Sequence, residues 1–236
     1  MFKAIGLSLS LSLAMAVAPS AHASPIVFSY TGGNLGQGTL GNSIVENTGG
    51  ETVTATAWSV TGNGDTTFQT GALGQYSGLG LGVCNRDELA VGCSAPQHEV
   101  DDNGQDDFVL FSFSTPVTSV TLTIDPVCDC NTNASYYVGN GLNPLGDTLA
   151  QLGSVTNSNE TSPDVTRSIT LSGLGTGVTS ILFGASTSGT DNYFKIESLS
   201  VTEGATAPEP ATFGLAGVAL IGLGVIRRKS RSAGAR

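Results

Sequence analysis

The densest run of side chains able to do chemistry is His98-Glu99-Val100-Asp101-Asp102-Asn103-Gly104-Gln105-Asp106-Asp107. Hard oxygen donors at such close spacing suit Ca²⁺, which gathers carboxylate and amide oxygens in a flexible shell. Asp101, Asp102, Asn103, Asp106 and Asp107 are the candidate ligands. The spacing does not fit an EF-hand loop, which requires a bidentate Glu several residues after its glycine. A competing reading, and the preferred one, makes the segment a solvated turn in which Asn103-Gly104 supplies positive φ and the acids face water. Beyond Ca²⁺, the residues suggest no cofactor.

Cysteines are the next group with reactive potential. Cys84, Cys93, Cys128 and Cys130 form an even set, and an even set in an oxidising compartment points to two disulfides with three open connectivities. A thiolate metal site is disfavoured, because paired cysteine ligands are usually separated by two or more residues. His98 is the one histidine outside the N-terminal leader, and serines and acids abound. A Ser-His-Asp arrangement is therefore formally open, but Gly-x-Ser-x-Gly is not found, so no nucleophile elbow supports it. Paired carboxylates for glycoside hydrolysis cannot be located from spacing alone. Aromatic platforms for sugar are scarce: Trp58 shares a strand face with Thr54 and Thr56 and suits a core equally well, while Tyr76, Tyr136 and Tyr137 are the loop candidates.

These residues need a scaffold, and the pattern around them is that of β structure. Short runs alternate apolar and polar residues between Gly, Asn and Ser turn signals, without helical periodicity. Strands are predicted at 26–30, 52–61, 108–113, 119–124, 135–138, 165–171, 179–183 and 193–201. Val120, Leu122 and Ile124 share one face and Ser119, Thr121 and Thr123 the other, which gives that strand one wet side. Phe194 and Ile196 agree in parity but Leu199 and Val201 do not, so a bulge near Glu197 and Ser198 is predicted. The glycine-rich stretch 32–41 reads as a long flexible connection. The expected class is all-β, an antiparallel β-sandwich of jelly-roll-like kind.

Both ends read as addresses. Lys3, an apolar stretch over 4–17, Pro19 and Ala21-His22-Ala23 make a secretory signal peptide over 1–23. At the other end, Pro208-Glu209-Pro210 precedes an uncharged apolar run over 211–226, then Arg227, Arg228, Lys229 and Arg231. Sixteen residues fall short of the roughly 20 that span a bilayer comfortably, so this short hydrophobic helix would cross only with thinning or snorkelling. Its basic cluster would hold that end on the cytoplasmic side. The β domain then covers 24–202, with a short linker over 203–207 and the sorting segment over 208–236. Without the two addresses, Arg86, Arg167 and Lys195 face eighteen acids, a net charge of about −15. Such a domain repels nucleic acid and bare anionic membrane.

The order Pro-Glu-Pro, short glycine-rich span and basic cluster resembles the PEP-CTERM sorting signal. That resemblance implies an exosortase partner in the inner membrane of a Gram-negative bacterium, Sec-dependent export, removal of the tail, and a destination at the cell surface or in the extracellular polysaccharide of a biofilm matrix. A second stretch, from Gly78-Leu79-Gly80-Leu81-Gly82-Val83 through Asn85-Arg86, His98, Val100-Asp101, Asn103-Gly104 and Asp107, resembles the central block of a family of exosortase-dependent surface proteins. This chain departs from that block by its four cysteines and by Asp102, and the resemblance carries no reaction. The function expected is therefore sorting and display of a non-enzymatic surface protein. The alternatives are a polysaccharide-binding module, Ca²⁺-dependent through the acidic run, and, less favoured, a secreted hydrolase.

Overall fold

The computed structural model describes residues 24–60, 66–93, 98–128, 130–153, 155–159, 165–188 and 191–204. The expected signal peptide, the sorting segment with the short hydrophobic helix expected there, and residues 205–207 lie outside the described residues. Among the described residues no helix is long and apolar enough to cross a membrane.

The chain is nearly all β, as the alternation predicts. Its strands are β1 (Ile26–Ser29), β2 (Ser43–Thr48), β3 (Glu51–Val60), β4 (Phe68–Thr70), β5 (Ala72–Tyr76) and β6 (Gly80–Cys84). The one helix among the described residues, the short α1 (Arg86–Val91), follows. Then come β7 (Val100–Asp101), β8 (Asp106–Pro126), β9 (Ala134–Gly139), β10 (Thr156–Ser158), β11 (Arg167–Leu171), β12 (Val178–Ala185) and β13 (Tyr193–Glu203). Every named strand pairing is antiparallel, and all thirteen strands join one hydrogen-bonded network.

Strand β8 makes the network continuous. The alternation predicts two strands, 108–113 and 119–124; the chain instead runs through both as one strand of 21 residues. Its first half pairs with β3 and β12, and its second half with β13 and β11. Between the halves the inward parity changes, from Val109, Phe111 and Phe113 to Val120, Leu122 and Ile124. A register shift against β12 absorbs that change: Ser180 faces Ser112, but Val178 faces Val117. Of the residues between, only Val117 turns an apolar side chain into the core, and Pro116 has no N–H to donate to a ladder. Glu51, fully buried at the start of β3, satisfies the donors left over. Its Oε1 accepts from Ser114 N at 2.6 Å and Ser114 Oγ at 2.9 Å, and its Oε2 accepts from Thr115 N at 3.2 Å and from the Thr115 hydroxyl.

Both halves of β8 contribute to one core with Phe28, Phe183, Phe194, Leu199 and Val201. The opposite face of the first half holds a second cluster, in which Trp58 packs with Phe68, Phe108, Leu110, Tyr137 and Leu182. Trp58 is thus core, with its indole N–H donating to Thr56 Oγ1 at 2.9 Å. The predicted wet face is present, where Thr121 pairs with Thr170 and Thr123 with Ser168 through their hydroxyls. The predicted bulge is also present, since β13 shifts register on β8 between Ile196 and Ser198.

One expectation is overturned. The stretch 32–41 is not a free connection but runs along the outside of β5, bridging Gly36 to Gln75 and Leu40 to Ala72. Just after it, Asn42 completes the seam, its Nδ2 donating to Leu73 O at 2.9 Å and its Oδ1 accepting from Leu73 N at 2.8 Å. Covering the open edge of β5 in this way removes a template for intermolecular pairing, a demand that glycine content alone does not reveal.

Candidate acidic site

The acidic run folds so that its carboxylates part company. Asp101 ends β7, which pairs with the first residues of β13, while Asp106 and Asp107 open β8. Between them Gly104 adopts φ +83°, so the turn at Asn103-Gly104 forms as predicted. The acids do not face water, however. Asp101 is 1% exposed and Asp107 fully buried, with Glu99 at 2% and Asp102 at 8%. The solvated reading of this turn is therefore wrong, because β7 and β13 cover it from the side.

Asp102 and Asn103 are used locally. The Asp102 carboxylate accepts from the backbone N of Asn192 at 2.9 Å and from its side chain, anchoring the loop that leads into β13. Asn103 is exposed, and its N–H donates to Asp101 Oδ1 at 2.9 Å. Asp106 is half-buried, and burial together with the Asp102 charge pushes it up to about 6. Of the five candidate ligands, only Asp101 and Asp107 come together.

Their third partner comes from elsewhere in the chain. Residues 85–92, between Cys84 and Cys93 and outside every predicted strand, contain α1. Asn85 caps it, accepting from Asp87 N at 3.1 Å and Glu88 N at 3.0 Å, while the Glu88 carboxylate accepts from Asn85 N at 3.1 Å. This reciprocal capping box is legible as Asn85-x-x-Glu88 with Gly92 at the far end. It turns Glu88 inward until one oxygen each of Glu88, Asp101 and Asp107 lies within 4.8 Å of the others. Asn85 Nδ2 also contacts Asp107 Oδ1 at 3.5 Å.

Charge compensation here is thin. Burial, then the other acids, raises Asp101 to about 8 and Asp107 well above the usual carboxylate range; burial raises Glu88 to about 7. Lys195, fully buried on β13, donates to His98 O at 2.7 Å and lies 4.6 Å from the centre of the Tyr76 ring. Burial lowers it to about 8, with the charges of Glu99 and Asp101 acting the other way. Gly82 permits this arrangement: a Cβ there would overlap the His98 carbonyl oxygen. Asp101 Oδ2, Asp107 Oδ2, Glu99 Oε2 and Gln105 Oε1 are buried with no hydrogen-bond partner among the described residues. So is Ser59 Oγ, and Ser59 sits directly opposite Asp107 in the β3–β8 ladder.

Other candidates find structural roles. Cys84 lies close to Cys93, with Cα atoms 6.0 Å apart, and Cys128 close to Cys130 at 5.0 Å, which selects one of the three connectivities. Tyr137 is buried in the second core, Tyr136 packs on the first, and Tyr76 lies against His98 with ring centres 4.5 Å apart. Of the three, Tyr137 is buried, and Tyr76 and Tyr136 are half-buried against these neighbours.

The sorting residues Pro208, Glu209 and Pro210 and the basic residues Arg227, Arg228, Lys229 and Arg231 lie outside the described residues, but comparison with known families reaches all of them except Arg231. Residues 206–229 match the family described as the PEP-CTERM protein-sorting motif. The chain carries a PEP-CTERM sorting signal. PEP-CTERM recognition implies an exosortase-type partner and export to the cell envelope or surface of a Gram-negative bacterium. No curated protein matches the chain.

Proposed function

We propose that this PEP-CTERM protein is a surface or extracellular-matrix protein that acts by display of its β domain, without catalysis. The observation that carries the reading is the sorting motif at 206–229, placed directly behind a folded domain whose last strand ends at Glu203. Pro208, Glu209 and Pro210 are the recognition residues in this reading. The prolines keep the approach extended and open to a protease, since proline removes a donor and disfavours helix in the residue before it. The apolar run 211–226 holds the tail in the membrane during processing, and Arg227, Arg228, Lys229 and Arg231 fix its orientation. An acidic, disulfide-capable domain without a basic patch suits an exterior where nucleic acid is not the partner.

Intact mass and fractionation of the native protein from its own cells test this, comparing wild type with a Pro208-Glu209-Pro210 to triple-alanine variant. The expected result is a species beginning at Ser24 and ending near Pro208, found at the surface and lost in the variant. A species retaining Arg236 in the inner membrane of both strains would reduce the tail to a plain anchor and end the sorting reading.

A further inference from the structure

Independently of the sorting signal, we propose that Glu88, Asp101 and Asp107 form a buried binding site for one hard divalent cation, Ca²⁺, which locks α1 and β7 onto the start of β8. Three carboxyl groups from three separate elements converge within 4.8 Å, a spacing at which they must share either protons or a cation. Proximity alone would be weak support, because acids cluster on many surfaces. Here the acids are inside: Asp101 and Asp107 are at least 99% buried, and each retains an oxygen with no hydrogen-bond partner among the described residues. An unsatisfied buried acceptor costs on the order of 1–3 kcal/mol, more when charged, so two beside each other call for a shared partner.

The chemistry of the donors selects the cation. All three are carboxylates, and Ser59, whose buried Oγ has no partner among the described residues, stands across the ladder from Asp107 with one further oxygen. Oxygen-only sets suit Ca²⁺, Mg²⁺ and Mn²⁺ and do not suit soft metals. Cys84 and Cys93 also approach Glu88, but paired with each other they offer no thiolate. Up to six oxygens from three carboxylates fit the 6–8 that Ca²⁺ takes in flexible geometry, whereas Mg²⁺ demands a near-ideal octahedron and keeps its waters. Asn85 would serve as the outer layer that orients Asp107, its amide contacting Asp107 Oδ1. An open cleft lined by Asn85, Asp87, Glu88, Asn103, Gly104 and Gln105 supplies the entry path on the Glu88 side.

The site differs from the one the sequence suggests. In the linear run Asp102 is an equal candidate, but the fold commits it to Asn192, so Asp101 and Asp102 make opposite predictions. The test uses the native exported protein, stripped with EDTA, and follows thermal unfolding while CaCl₂ is added, with calorimetry for stoichiometry. Wild type should bind one Ca²⁺ per chain and gain on the order of 5 °C in Tm at saturating ion. Asp101→Asn and Asp107→Asn should fold, since each puts a neutral amide of nearly the same shape in place of a crowded buried carboxyl, and should lose the gain. Asp102→Asn should keep it. No shift at millimolar CaCl₂ would overturn the site, as would an unchanged shift in the Asp101→Asn, Asp107→Asn double variant, which would assign the effect to surface acids. An equal response to MgCl₂ would overturn the choice of calcium.

Discussion

Glu51 and Asp107 are both fully buried carboxylates on adjacent strands, and their surroundings could hardly differ more. Glu51 receives donors from both backbone and hydroxyl of Ser114 and Thr115, so its charge is spread over hydrogen bonds it was placed to receive. Asp107 receives one long contact from Asn85 and faces two other acids. The first is a structural clamp that lets β8 change parity between two halves of the sheet. The second has too few donors for its charge. Burial therefore does not distinguish a structural acid from a site; the supply of donors does.

The sharpest way to break this contrast is to delete both acids in turn and compare signs. Glu51→Ala leaves two backbone N–H groups and two hydroxyls without their acceptor at the bend of β8. Charge-assisted hydrogen bonds contribute about 1.5–3 kcal/mol each, partly offset by water reaching this rim, so a loss on the order of 3 kcal/mol is expected in denaturant unfolding. A loss below about 1 kcal/mol would mean that the bend is held by the core alone.

Asp107→Asn should go the other way. In EDTA at pH 8 the change removes a buried, poorly satisfied carboxyl that has two acids for neighbours, and the new amide can donate to Asp101 or Glu88. A gain on the order of 1 kcal/mol is expected, since removing an uncompensated buried group relieves its desolvation cost. Destabilisation by the same substitution in EDTA would place Asp107 in the same class as Glu51 and dissolve the comparison.

How much of this contrast was legible in the sequence can be argued residue by residue. The strands rich in Val, Phe and Ile were plain from alternation, and so was the bulge at Glu197, because a parity change within one apolar run needs an extra residue. Strands β5 and β6 were not, since Gly74, Gly80 and Gly82 dilute the signal, and their glycines are set by close approach to neighbours rather than by turns. Of the site, Asp101 and Asp107 stood out in the acidic run. Glu88 did not, although Asn85-x-x-Glu88 marked a helix start, because its approach to Asp107 depends on how α1 docks. Nothing local separates Asp101 from Asp102. Their difference is made by Asn192, 90 residues away, and only the folded chain brings it near.

The smallest effect expected comes from Lys195, the cation the fold places beside this donor-poor cluster. Glu99 and Asp101 act on it from the β7 side, and Tyr76 and the His98 carbonyl cover it. Its folded value of about 8 lies below the roughly 10.4 of an unfolded lysine. Below pH 8 both states hold the proton, and the cost of burying the charge is fully present. Between pH 8 and about 10 the unfolded lysine binds more protons than the folded one, so its contribution to stability should rise with pH, by no more than about 1 kcal/mol per unit. Asp101, raised to about 8, and Asp107, raised well above the usual range, lose their folded-state protons over an overlapping range and oppose it, and Tyr76, pushed up to about 12 by burial, does so only above pH 10. Denaturant unfolding in EDTA at pH 8.0, 8.75 and 9.5 measures the slope, and Lys195→Met should make it less positive, the difference between the two being the part due to Lys195. A wild-type slope no more positive than that of Lys195→Met would mean that Glu99 and Asp101 hold the Lys195 proton at least as tightly as burial expels it, in which case the cluster already has its compensating charge and the need for a bound cation falls with it.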